Sequence, residues 1–72
     1  MKRYSLELRS GDAPPAAWRD GKYTDLVAAR CDAIVEANNL AAAGAPADTA
    51  IEIHDEDGRL VSTIALVDLR RE

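Results

Sequence analysis

Seventy-two residues with nine Lys and Arg against thirteen Asp and Glu carry a net charge of −4, which argues against nonspecific adhesion to nucleic acid through the whole surface. A chain of this length forms one domain and buries only about 60% of its extended surface, so its core is marginal and a partner could complete it. The lack of a long apolar run excludes a spanning helix, and with no charged-then-apolar leader the expected compartment is the cytoplasm.

Residues 3–9 alternate, with Tyr4, Leu6 and Leu8 on one side and Arg3, Ser5, Glu7 and Arg9 on the other, which predicts a half-buried strand. Ser10-Gly11-Asp12 followed by Ala13-Pro14-Pro15 ends it, because proline donates nothing to a sheet. Ala16 to Tyr23 reads as a connection with an Asp20-Gly21 turn. Its aromatics Trp18 and Tyr23 are expected to fold over the open edge of a small core, the other reading being a pair of binding anchors.

A long helix is predicted over 25–43. Thr24 is the expected N-cap, Asp25 sets negative charge at the positive dipole end, and Gly44 with Pro46 forms the stop. Stepping about 100° per residue puts Leu26, Val27, Cys31, Ala33, Ile34, Val35, Ala37, Leu40 and Ala41 on one broad arc. Asp25, Asp32, Glu36 and Asn39 fall opposite, facing water. Arg30 lies near the middle of the apolar arc. Its stem is expected to run over the sheet and its head to pair with Glu7 or Glu52, or else to anchor an interface. The lone Cys31 can form no internal disulfide and reads as packing material, not a reactive thiol.

Residues 49–54 alternate again, with Ile51 and Ile53 inward and Glu52 and His54 outward. Asp55, Glu56, Asp57 and Gly58 make a turn, and 59–67 returns as the second arm of a hairpin. Both faces of that arm are apolar, with Leu60, Ile64 and Leu66 on one and Val61, Ala65 and Val67 on the other, which places it centrally. The charged tail 68–72 is expected to fray. The predicted fold is α+β: a single β-α-β-β domain over 1–72 with one long helix on one face of a three-stranded sheet. The strand order is 1-3-2, or alternatively 3-2-1 with the first two strands parallel.

His54, Asp55, Glu56 and Asp57 are the densest set of potential metal ligands. A calcium loop would need further ligands where Leu60 to Leu66 stand, and zinc would want another His or a Cys nearby. No nucleophile sits on a recognisable elbow, and the four glycines are too scattered to cradle phosphate. Hence no catalytic, cofactor-binding or metal-binding residue is predicted, and the chain is expected not to be an enzyme.

The remaining candidates are surfaces. Asp25, Asp32 and Glu36 on the helix, with Asp55, Glu56 and Asp57 at the hairpin tip, form a candidate partner-binding set for a basic protein surface, the plain alternative being a solvated acidic face. Two open sheet edges also allow a homodimer. Lys2, Arg3, Arg9, Arg70 and Arg71 would make a basic patch if the termini met, but direct nucleic-acid binding is disfavoured by the net charge.

The stretches RYSLELRSGD, DGKYTDLVAAR and IEIHDEDGRLVSTIALVD resemble a family of small β-α-β-β proteins of unknown function common in alphaproteobacteria. The Pro14-Pro15 loop and the alanine-rich helix end depart from that pattern, and the resemblance implies a fold without an activity. In size and layout alone the chain is also similar to phage anti-CRISPR inhibitors and to β-α-β-β antitoxin-type domains. The function expected is therefore a non-enzymatic protein-binding module, in its sharpest form an inhibitor of a nucleic-acid-handling complex. A dimeric module or antitoxin-like regulator is the alternative.

Overall fold

The computed structural model describes the backbone of residues 1–11 and 16–69 and the side chains of 1–11 and 20–67. In chain order these form β1 (Lys2–Ser10), β2 (Ala16–Tyr23), α1 (Leu26–Ala42), β3 (Thr49–His54), β4 (Leu60–Ala65) and the single turn α2 (Leu66–Leu69). The α+β class stands, but the sheet has four strands in the order β2-β1-β3-β4, with every neighbouring pair antiparallel.

Several expectations about the sheet are corrected. The stretch expected to be a connection is the strand β2, which pairs with β1 from Lys2 opposite Tyr23 to Leu8 opposite Ala16. Its Arg19, Asp20, Gly21 and Lys22 hide it, because an edge strand needs no apolar alternation and a bulge between Leu6 and Glu7 breaks the register. The extra reversal decides the rest: β3 meets β1 antiparallel, and β2 and β3 run parallel on either side of β1 with α1 between them in the chain. The order 1-3-2 is thus not adopted; leaving β2 aside, the expected strands stand in the alternative order 3-2-1, but the first two are antiparallel and not parallel. The returning arm of the hairpin is an edge, not the centre, and ends at Ala65 because Leu66 and Val67 turn into α2.

The core lies between α1 and the sheet. Tyr4 and Leu6 of β1, Ile51 and Ile53 of β3, Ile64 of β4 and Leu66 of α2 supply the large side chains. Ala29, Ala33 and Ala37, all fully buried, supply the helix side. Leu26, Ile34, Leu40 and Ala41 pack at its borders. The fully buried positions of α1 are all alanines, which lets the helix backbone approach the isoleucines closely.

The helix is turned relative to expectation. Val27 is 66% exposed and Val35 56%, and Cys31 and Arg30 are exposed as well. The arc that looked apolar was too broad for one interface. Packing selected its alanine side, leaving Val27, Cys31 and Val35 as an outward ridge, so the placement of Cys31 in the core and of Arg30 over the sheet does not hold.

The helix ends show how the local sequence works. Asp25, not Thr24, is the N-cap: its backbone is extended and its carboxylate accepts from the Ala28 N–H at 2.9 Å. At the other end Gly44, with φ +88°, lets Ala45 N–H reach the Leu40 carbonyl at 3.0 Å and Gly44 N–H reach that of Ala41 at 3.1 Å. This double bond pattern satisfies carbonyls that a helix terminus otherwise leaves bare. Tyr23 then ties helix to sheet, since its hydroxyl donates to the Asp32 carboxylate at 2.5 Å and its ring sits 6.2 Å from that of Tyr4. The residues 12–15 of the proline loop, the Trp18 side chain and the tail beyond Leu69 lie outside the described residues.

Replacing Ala33→Leu forces a branched side chain into the seam and is expected to cost about 1–3 kcal/mol in chemical denaturation. Val35→Ala on the outward ridge is expected to change stability by less than about 0.5 kcal/mol. Equal costs at the two positions would contradict the helix orientation.

Candidate functional site

Alternation along β1 and β3 sends Ser5, Glu7 and Arg9, with Ala50, Glu52 and His54, to the sheet face away from α1. The register sets Glu7 directly opposite Glu52 and Ser5 opposite His54. Two carboxylates facing each other across neighbouring strands repel. Each is met diagonally by a basic group: Arg9 Nε lies 3.0 Å from Glu52 Oε2, and His54 Nδ1 lies 2.7 Å from Glu7 Oε2. Arg9 is 47% exposed and Glu52 13%, so solvent weakens that ion pair while the acid itself is well shielded.

The His54 contact is close without being a hydrogen bond. Nδ1 is shut off from solvent and, despite its distance to Glu7, has no aligned hydrogen-bond partner among the described residues. The in-plane direction of the nitrogen therefore points past the oxygen. One donor atom each from Glu7, Glu52 and His54 lie within 4.8 Å of one another. Beside them a concavity of about 370 Å³ is lined by Ser5, Glu7, Asp20, His54 and the hairpin residues Asp55 and Glu56.

The hairpin tip is built by Asp55. Its Oδ1 accepts from the backbone N–H groups of Asp57 and Arg59, both at 2.9 Å, and its carbonyl accepts from Gly58 N–H at 3.0 Å. Gly58 supplies the positive φ, +80°, that the reversal requires. A second concavity, about 420 Å³, lies between this tip and the start of β1 and α1, lined by Asp55, Glu56 and Asp57 together with Lys2, Arg3, Leu26 and Val61.

The six acidic residues singled out from sequence thus have unequal surroundings. Asp25 caps the helix and Asp55 folds the turn, so both carboxylates are engaged by backbone. Asp32 accepts from Tyr23 and, with Glu36, is half-buried on the flank of α1. Glu56 and Asp57 stand exposed at the tip. Around the second concavity Asp55, Glu56 and Asp57 come together with Leu26, next to Asp25, and with the cations of Lys2 and Arg3. Arg70 and Arg71 lie outside the described residues.

Sequence reasoning named His54 but joined it to its chain neighbours. Its spatial companions are Glu52, two residues back on the same strand, and Glu7, brought in by strand pairing at a sequence distance no spacing motif covers. The alternation that turned all three outward was the available signal.

The sheet edges form the other candidate surface. β2 carries Arg19, Asp20 and Lys22, the charges by which edge strands discourage pairing. β4, Leu-Val-Ser-Thr-Ile-Ala, carries no charge and no proline, and Leu60 is 54% and Val61 38% exposed, with Val67 52% exposed just beyond. Among the described residues no helix is long and apolar enough to cross a membrane. Comparisons with protein-family models, curated proteins and solved structures find no match for this chain.

Asp25→Ala removes the cap and is expected to destabilise the fold by about 0.5–2 kcal/mol, whereas Asp25→Ser keeps an acceptor and is expected to cost far less. Thermal unfolding of the pair separates the cap from the charge, and equal losses would show that charge rather than capping is what Asp25 contributes.

Proposed function

We propose that this chain is a non-enzymatic protein-binding module that takes up an extended segment of its partner along β4. The single observation that carries this reading is the unprotected edge. β4 has β3 on one side only, leaves alternate N–H and C=O groups on the other, and flanks them with exposed Leu60 and Val61. Added strands are held by such main-chain bonds and selected by side-chain contacts. The carboxylates of Asp55, Glu56 and Asp57 at the start of β4 favour a segment with basic residues at that end. Of the helix acids, Asp32 is held by Tyr23 of β2, the opposite edge of the sheet, so the acidic surface beside β4 is that of the hairpin tip. A sharper form, in which the partner's basic surface otherwise holds nucleic acid and this chain inhibits it, is supported by charge alone.

A second reading has β4 pair with β4 of another copy, joining two sheets into one. The absence of any charge in the strand favours it, since nothing repels across the two-fold axis.

Short alternating peptides, one set Lys and Val, one Glu and Val, and one interrupted by proline, test the proposal by amide chemical shifts. The expected result is that the basic set alone perturbs and protects residues 60–65. Sedimentation across a concentration series detects the self-paired form. Unmoved β4 amides with every peptide, together with a concentration-independent monomer, would overturn both readings.

A further inference from the structure

We infer that Glu7, Glu52 and His54 form a binding site for a divalent cation of the zinc type on the open face of the sheet. The inference is independent of the β4 edge. It starts from a contact that hydrogen bonding does not explain: His54 Nδ1 stands 2.7 Å from a Glu7 oxygen yet is not aligned with it, and it is closed to solvent without a hydrogen-bond partner among the described residues. A buried nitrogen left in that state is costly. Two ligands of one metal ion stand to each other in this way, because each is directed at a shared point and not at its neighbour. Around a tetrahedral ion with bonds of about 2.0–2.2 Å, donor atoms are roughly 3.3–3.5 Å apart. The three donors here already lie within 4.8 Å of one another, so small side-chain rotations bring them to that spacing.

The surroundings fit the same reading. Glu7 and Glu52 face each other as like charges, and a dication between them turns that repulsion into attraction. Arg9 Nε holds Glu52 Oε2, leaving the other carboxylate oxygen for the ion, as outer partners orient ligating carboxylates. One imidazole and two carboxylates make a mixed N/O set that suits zinc, whereas calcium asks for six to eight oxygens. Three protein ligands leave a fourth position, and the concavity of about 370 Å³ beside Glu7 and His54 gives it access.

The test is titration of the full chain with Zn²⁺ by calorimetry, followed by ¹⁵N spectra of the imidazole, which belong to one residue because the chain has a single histidine. The expected result is one ion per chain and a displaced Nδ1 resonance. Glu7→Gln, Glu52→Gln and His54→Ala are each expected to weaken binding at least about tenfold. Cys31→Ser and Asp57→Asn are expected to leave it unchanged, and the Co²⁺-loaded protein to show no thiolate charge-transfer band. Circular dichroism confirms that each variant folds, and Arg9→Ala supplies a variant that keeps all three ligands and is expected to bind several-fold more weakly. Absence of Zn²⁺ binding, or binding that survives His54→Ala or disappears with Cys31→Ser, would overturn the inference.

Discussion

The structure depends on how closely one helix can approach one sheet. Ala29, Ala33 and Ala37 form the contact line, and Leu6, Ile51, Ile53 and Ile64 meet it from below, so the fully buried bulky side chains come from the sheet side while the helix adds Leu26, Ile34 and Leu40 at the borders. In a domain this small that division is economical, because methyl groups on the helix exclude water without the rotamer entropy that longer side chains would lose. It also settles which way the helix faces. Val27, Cys31 and Val35 are larger and more hydrophobic than the alanines, but seating them inward would push the helix off the sheet and open voids along its length.

Local signals in the sequence were sufficient for the elements that close on themselves. The alternation of β1 and β3, the Asp55-to-Gly58 reversal and the Gly44 stop correspond to observed structure within a residue or two. What escaped was set by tertiary context. β2 has no apolar periodicity because pairing with β1 is enough to hold it. The direction of α1 escaped because hydrophobicity ranks valine above alanine, whereas the interface ranks them by fit. The misplacement of β4 has the same origin: a strand apolar on both faces reads as central, yet here it lies at an edge with Leu60 and Val61 outside.

The candidate site shows the same limit more sharply. The acidic residues nominated from sequence were chosen by charge, and the structure gives two of them backbone duties, Asp25 as a cap and Asp55 as the organiser of a turn. The cluster of Glu7, Glu52 and His54 instead arises from a register between strands far apart in the chain, where each residue alone looks like an ordinary outward-facing polar position.

A contact line made only of methyl groups is smooth. Helices usually hold their axial position because ridges of one surface drop into grooves of the other, and α1 presents almost no ridge at its centre. Its position along the sheet falls instead to a few off-centre features: Leu26, Ile34 and Leu40 at the borders, and the Tyr23 hydroxyl on Asp32. That phenol-to-carboxylate bond acts as one detent on an otherwise smooth bearing.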